Sequence, residues 1–251
     1  MEGEILLIDI ETAPSLGYVW GKWQQDVIEF DRGWYVMCFA AKWLSEEGFV
    51  CALPDFKLYK QDQENDSRLI KEIWRLLDEA DIVITHNGKQ FDHKKINARF
   101  LVHGLPPPSP YRIVDTKIEV KRYFGFTSNK LDDLGQELGL GRKLKHTGFD
   151  MWKGCMSNDA KSWELMRKYN LQDIVLLEKV YLKLRPWMKT HPVMTNYGGS
   201  SGCSKCGSRN LTKQGLYHNQ TTKYQQVKCK DCHGWSIIPI NLQENKLLKS
   251  I

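Results

Sequence analysis

The stretch EILLIDIET at residues 4–12 decides the fold. It is a short apolar run rich in branched side chains, as expected of a β-strand that is covered on both faces. Alternate residues of a strand share a face, so Asp9 and Glu11 project together and away from Ile8 and Ile10. Both acids come at the carboxyl end of the strand, where open α/β sheets usually bind ligands. Two carboxylates there repel each other unless a cation lies between them, although an isolated Asp-x-Glu also arises where a strand simply reaches solvent.

The pattern that follows predicts an α/β domain with a mixed sheet flanked by helices. Strands at 34–44 and 49–53, joined by a turn at 45–48, would form a three-stranded meander with the first strand. Hydrophobic periodicity then predicts alternating elements: a helix at 67–79, a strand at 81–86, a helix at 91–102, a strand at 111–116, and helices at 130–138 and 158–184.

Length and composition predict one main domain with a small appendage. The chain has 251 residues, 41% of them hydrophobic, which is enough for a substantial core. After residue 184 the periodicity stops, and prolines are followed by a Gly- and Ser-rich stretch typical of a flexible linker. We therefore predict a main domain at 1–184, a linker at 185–201 and an appendage at 202–251.

The net charge of +6 is concentrated in the C-terminal part of the chain. Residues 185–251 contain ten Lys or Arg and two acids, and the remaining 26 basic and 28 acidic residues nearly balance. A basic appendage suits a polyanion, although solvated lysines give the same count. The N-terminus lacks signal-peptide features, and no apolar run approaches about 18 residues, so we expect a soluble, cytoplasmic protein without a membrane partner.

Two further acids, Asp92 and Asp115, follow predicted strands. Asp92 lies in the first turn of the next helix, where, taken alone, it is better explained as a cap or a dipole-compatible residue worth about 1 kcal/mol. We expect Asp115 to be structural, or to support a neighbouring ligand group.

The helix predicted at 158–184 places Asp173 among inward-facing residues. At about 100° per residue, one stripe contains six side chains: Met166, Asn170, Asp173, Leu177, Val180 and Leu184. A buried carboxylate must be protonated, paired with a base or bound to a metal. No Lys or Arg lies one turn away on this stripe, so a basic partner would have to come from elsewhere. Tyr169 lies one turn before Asp173 on the same side of the helix.

Three short motifs contain these acids: Asp9-Ile-Glu11, Asn87-x3-Phe91-Asp92 and Tyr169-x3-Asp173. In order and approximate spacing they resemble the three exonuclease motifs of the DEDD superfamily, over residues 4–184. The tyrosine is similar to that of the DEDDy branch, which includes the proofreading domains of family-B DNA polymerases; the sister DEDDh branch has a histidine where this chain has Lys168. The chain also resembles stand-alone, often phage-encoded, RNase H-like exonucleases.

This resemblance implies a five-stranded RNase H-like sheet and a 3′-to-5′ exonuclease for single-stranded nucleic acid, with DNA favoured over RNA. It further implies two Mg²⁺ or Mn²⁺ ions, about 3.5 to 4 Å apart, held by four acids: Asp9, Glu11, Asp92 and Asp173. A site of four carboxylates without His or Cys suits such hard cations. Tyr169 would orient a water molecule, and Asn87 and Phe91 would contact the terminal nucleotide, although Phe91 is equally explained as a core residue.

Four of the seven cysteines form two Cys-x2-Cys pairs separated by 22 residues, namely Cys203, Cys206, Cys229 and Cys232. This spacing indicates one structural Zn²⁺ and resembles a zinc ribbon. Hairpin-prone stretches between the pairs and a third strand at 235–238 agree with it.

Around the cysteines, basic and aromatic residues could form a nucleic-acid surface: Lys205, Arg209, Lys213, Tyr217, Lys223, Tyr224, Lys228, Lys230 and Trp235. The alternative is a zinc-stabilised fold that docks another protein.

Two other functions fit the same residues. One is a non-enzymatic recruiting protein in which the ribbon binds nucleic acid or a protein and the main domain is a scaffold. The other is an endonuclease or ribonuclease with the same metals, because two-metal carboxylate sites do not by themselves fix polarity or the sugar.

Overall fold

The computed structural model describes residues 3–23, 25–145, 147–198 and 202–240, which form two compact units. The larger unit is Glu4–Tyr181, and the smaller contains the described residues from Leu182 onward together with Gly3. The division after Tyr181 lies three residues before the end predicted for the main domain. The domain assignment 1–184, 185–201 and 202–251 stays a prediction.

The larger unit is built on a mixed five-stranded sheet with the order β5-β4-β1-β6-β7. The strands of this sheet are β1 (Ile5–Thr12), β4 (Val36–Trp43), β5 (Phe49–Ala52), β6 (Ile82–Thr85) and β7 (Arg112–Asp115). Between β1 and β4, the strands β2 (Leu16–Tyr18) and β3 (Glu29–Arg32) form a separate two-stranded hairpin. β4 is antiparallel to β1 and to β5, whereas β1, β6 and β7 are mutually parallel. The predicted meander and RNase H-like sheet are thus confirmed, and the hairpin is an addition.

The register of the sheet explains why the acids of β1 lie at an edge. β1 pairs with β6 only as far as Leu7, opposite Ile84. Asp9 and Glu11 lie beyond that pairing and are held from one side by β4, opposite Ala40 and Cys38. The apolar residues of β1 are buried, whereas the two acids are partly exposed.

Helices and short 3₁₀ segments complete the larger unit. The helices are α1 (Ser67–Glu79), α2 (Asp92–Val102), α3 (Thr116–Tyr123), α4 (Leu131–Glu137), α5 (Phe149–Met156) and α6 (Ala160–Leu184), and the 3₁₀ segments are Leu53–Asp55 and Lys57–Lys60. One buried cluster joins the inner faces of β1 and β4 to α1, α2 and α6. The helix predicted at 67–79 matches α1, because Leu69, Ile73 and Leu77 form a regular buried stripe.

The helices α3 and α5 and the β2–β3 hairpin were not predicted from periodicity. α3 follows Asp115, whose side chain accepts hydrogen bonds from the backbone of Lys117 and Ile118 as an N-cap. α5 follows Gly148, which has a φ of +67°. The β2–β3 hairpin is almost wholly exposed, so it lacks the apolar alternation that marks a half-buried strand.

The smaller unit is a three-stranded antiparallel sheet of β8 (Leu211–His218), β9 (Lys223–Cys229) and β10 (Trp235–Pro239), with β9 in the centre. This agrees with the strands predicted for the ribbon. The segment predicted as a linker contains a 3₁₀ turn at Arg185–Trp187 and a helical turn, α7 (Thr195–Gly198), where we expected irregular chain. Residues 199–201 of that segment lie outside the described residues.

No helix among the described residues is long and apolar enough to span a bilayer.

Candidate active site and cysteine cluster

The three motifs meet at the carboxyl end of β1. Carboxylate oxygens of Asp9, Glu11 and Asp173 all lie within 4.8 Å of one another. Asp9 and Glu11 come from one face of β1, and Asp173 comes from α6, on which it is 2% exposed. The inward orientation predicted for Asp173 is therefore correct.

Asp92 approaches the same place from the start of α2. Its Oδ1 accepts a hydrogen bond of 3.1 Å from the backbone N–H of Ile10, the residue between Asp9 and Glu11. No capping hydrogen bond is formed by the side chain of Phe91, the N-cap residue of α2. Asp92 therefore connects the second motif to the first and is not simply a helix cap.

Burial, together with neighbouring negative charge, raises the pKa of three of the acids. Burial, followed by the charges of Asp92, Glu11 and Asp173, raises the pKa of Asp9 well above its ordinary value, and Lys143 opposes this rise. Burial and then the charge of Asp173 raise the pKa of Glu11 to about 8. Burial likewise raises the pKa of Asp92 to about 6. Such crowding of acids is what a bound cation relieves.

Lys143, on the loop between α4 and α5, supplies positive charge that sequence reasoning missed. Its Nζ lies 2.5 Å from Oδ2 of Asp173 and donates to the Tyr169 hydroxyl over 3.2 Å. Burial opposes the ammonium form, but the attraction and hydrogen bond of Asp173 outweigh it and raise the pKa of Lys143. Of the three alternatives left open for Asp173, the structure shows pairing with a base, and this base lies 30 residues earlier in the chain. The only signal in the sequence was the group of three basic residues within 142–145, which directly follows Gly141.

Asn170 is a second residue whose role was not predicted, although it lies on the inward stripe of α6. It is fully buried, and its Nδ2 donates to Oδ2 of Asp9 over 2.9 Å. Its Oδ1 accepts from the thiol of Cys38 at 3.7 Å. Asn170 therefore orients Asp9 from the helix that also contains Asp173.

Tyr169 lies beside the acids as predicted, and its ring packs edge-on against Trp152 at a centroid distance of 6.2 Å. Burial, then the charge of Asp173, raises the pKa of Tyr169 above its ordinary value. The phenol is therefore protonated at neutral pH and can donate a hydrogen bond. Lys168, the residue before it, points away and pairs with Glu164 on the surface.

The loop between β6 and α2 is organised by Asp115. Both of its carboxylate oxygens accept backbone hydrogen bonds from this loop, from Asn87 over 2.9 Å and from Lys89 over 3.1 Å. Asn87 has a φ of +72°, a conformation that asparagine adopts more readily than most residues. Asp115 is therefore structural, one of the two roles expected for it.

Phe91 is 41% exposed, with Nζ of Lys95 5.2 Å from its ring centre. The core alternative for Phe91 is therefore wrong. Asn87 is partly exposed.

Comparison with known proteins places this site in a family. Residues 45–185, more than half of the chain, match the RNase H superfamily, a range that includes Asp92 and Asp173 and begins after Asp9 and Glu11. This chain belongs to the RNase H superfamily. Among solved structures, the family B DNA polymerase from the hyperthermophilic archaeon Pyrobaculum calidifontis is similar over 88% of the chain, with a TM-score of 0.54 and 15% identity. The chain corresponds to 32% of that polymerase, and the likeness shows the fold alone. No curated protein matches this RNase H superfamily chain significantly.

The four ribbon cysteines converge in the smaller unit, with all sulfurs within 4.8 Å of one another. Sγ of Cys203 is 3.6 Å from that of Cys232, and Sγ of Cys206 is 3.7 Å from that of Cys229. Thiolates about 2.3 Å from a tetrahedral zinc ion would be about 3.8 Å apart. The cluster is therefore consistent with a zinc ribbon.

The predicted basic surface of the ribbon needs two corrections. Lys205 is buried, and its Nζ donates to the carbonyl oxygen of Met188, so it is not part of any open surface. The residues on the strands lie on two faces, because strand pairing places Lys228 opposite Trp235 and Lys213 opposite Val227. Adjacent positions of a strand project to opposite sides.

Proposed function

We propose that this chain is a metal-dependent 3′-to-5′ exonuclease of the DEDDy type that removes nucleotides from single-stranded nucleic acid. Membership of the RNase H superfamily supports a nuclease in general. The observation that carries the proposal is the convergence of the three motifs, with Asp9, Glu11 and Asp173 in one cluster and Asp92 bonded to the backbone between the first two. DNA is favoured because the fold resembles that of a family B DNA polymerase.

The donor set fits divalent magnesium or manganese. The four acids would hold two such ions. Burial, followed by the charges of neighbouring acids, raises the pKa values of Asp9, Glu11 and Asp92, and a bound cation would favour their ionised forms. Lys143 already places one positive charge against Asp173, as a bound cation would. Bound there, the metal supplies a water of lowered pKa and offsets the charge of the phosphodiester.

The remaining residues of the site would position the substrate and the water. The Tyr169 hydroxyl, protonated at neutral pH, would orient the water by hydrogen bonding. The exposed ring of Phe91, next to Asp92, would stack against the terminal base, and Asn87 would bond to that nucleotide. Asn170 would keep Asp9 in its orientation.

The four cysteines would hold one structural Zn²⁺. Four thiolates close a tetrahedral shell, so this site would stabilise the small sheet rather than catalyse a reaction.

The decisive experiment is digestion of 5′-labelled DNA and RNA oligonucleotides, single- and double-stranded, with Mg²⁺, Mn²⁺ or EDTA. We expect a ladder that shortens from the 3′ end of single-stranded DNA, requires the metal, and is abolished in Asp9→Ala and Asp173→Ala. Asp150→Ala is the matched control, since the Asp150 side chain is 78% exposed on α5. Internal cuts, or digestion unchanged in the two site variants, would contradict the proposal.

A further inference from the structure

Two adjoining hollows of the C-terminal unit both include His233 in their linings. The larger has a volume of about 710 Å³ and is lined by Trp187 and Trp235 among other residues. The smaller, of about 220 Å³, is lined by Lys228 and Lys230. None of the lining residues belongs to the carboxylate site.

Both tryptophans are exposed. Trp187 is 67% exposed and Trp235 is 50% exposed. Large aromatic side chains at a surface are a common source of binding energy, and an indole ring can stack on any nucleobase. Nζ of Lys228 lies 5.8 Å from the ring centre of Trp235, so a cation already accompanies this ring.

Basic side chains outnumber acidic ones around the hollows. Their linings contain four basic side chains and one acid, Asp231: the basic residues are Lys183, Arg185, Lys228 and Lys230. The carboxylate of Asp231 accepts hydrogen bonds from Ser208 and Asn210, so it is engaged within its own turn. A surface of stacking rings and basic side chains complements a polyanion with exposed bases better than it complements an apolar protein segment.

We propose that the two hollows form a second binding site for single-stranded nucleic acid. Bases would stack on Trp187 and Trp235, and phosphates would lie near Lys228 and Lys230. A duplex does not fit this chemistry, because its bases are already stacked on one another and their faces are not available to the two indole rings. The site would retain a strand independently of its cleavage.

The test is fluorescence anisotropy with a 5′-labelled oligothymidylate of about 12 nucleotides, within the site size of one small domain. All proteins carry Asp9→Ala, which avoids a chelator that would also strip the cysteine cluster. We expect Trp187→Leu and Trp235→Leu each to weaken binding about tenfold, and the matching Phe variants to retain most of it, because phenylalanine keeps a stacking face. An abasic oligonucleotide should bind weakly and equally to all of them.

Charge is tested separately by salt dependence. Lys228→Ala should reduce the slope of log K against log salt by about 0.7 for each lost phosphate contact, whereas Lys213→Ala, on the opposite face of the sheet, should leave it unchanged. Zinc content and circular dichroism show whether the ribbon is intact.

Unchanged affinity in the Leu variants, equal losses in the Leu and Phe variants, or competition by polyglutamate as strong as by oligothymidylate would overturn this second site. If wild-type protein digests nothing but the binding pattern holds, the exonuclease proposal fails and this inference stands. If wild-type protein digests the oligonucleotide but the Leu variants bind with unchanged affinity, this inference fails and the exonuclease proposal stands.

Discussion

The ammonium group of Lys143 lies 2.5 Å from Oδ2 of Asp173, joining the loop after α4 to the buried acid of α6. This pair places a positive charge inside a cluster of carboxylates. A divalent cation bound to the same acids would compete with Lys143 for Asp173, which leads to a prediction about stability.

Replacing Lys143 by methionine should destabilise the protein without added metal and leave the metal-loaded protein less affected. We expect the free energy of unfolding of the metal-free protein to fall by about 2 kcal/mol. This is less than for a fully buried pair, because the Lys143 side chain is 30% exposed. Urea unfolding with and without Mn²⁺ measures the free energy of unfolding of the metal-loaded and the metal-free protein.

The matched control for Lys143 is the ion pair of Lys42 with Glu178, at 2.6 Å, in which the lysine is more deeply buried than Lys143. Lys42→Met should destabilise the protein at least as much, and Mn²⁺ should not restore it. Equal rescue of both variants would show that the metal stabilises the fold in general and does not replace Lys143.

The pKa of Glu11 predicts how stability depends on pH. Between its ordinary value of 4.5 and about 8, the folded protein binds the Glu11 proton more tightly than the unfolded chain does. Stability should therefore fall as pH rises through this window in the absence of added metal. Glu11→Gln should make the decline shallower, and Mn²⁺ should stabilise the wild type more at pH about 8 than at pH about 5. A decline of the same slope in Glu11→Gln would exclude Glu11 as its source.

Much of the fold could be predicted because apolar residues recur at regular short intervals within its strands and helices. β1 and α1 have regular apolar patterns, and the inward position of Asp173 followed from helical spacing alone. The contacts of Lys143 and Asn170 could not be predicted, since they join residues 30 and 161 positions apart that only the folded chain brings together. The prediction that Lys205 lies on the basic surface was wrong for a related reason, since composition does not show which lysine is buried.

Asp115 should matter for both stability and activity, because it caps α3 and holds the loop before α2. Asp115→Ala removes four hydrogen-bond acceptor contacts from a buried position, and we expect a loss of about 2 kcal/mol or more. Asp115→Asn keeps one acceptor oxygen and should lose less. Thermal unfolding gives the order of the two variants, and nuclease assays should show a lower kcat for Asp115→Ala. Equal stability of the two variants would mean that the backbone of the loop does not depend on this side chain.

Phe91 and Leu101 lie near opposite ends of α2 and are both exposed, by 41% and 81%. If Phe91 stacks on the terminal base, Phe91→Ala should raise KM for a single-stranded oligonucleotide about tenfold and change the unfolding midpoint little. Leu101→Ala should change neither KM nor kcat. Because Phe91 directly precedes Asp92, a displaced α2 would instead lower kcat by moving the carboxylate. A fall in kcat with constant KM in Phe91→Ala would therefore assign Phe91 to the positioning of Asp92, whereas a change confined to KM assigns it to the substrate.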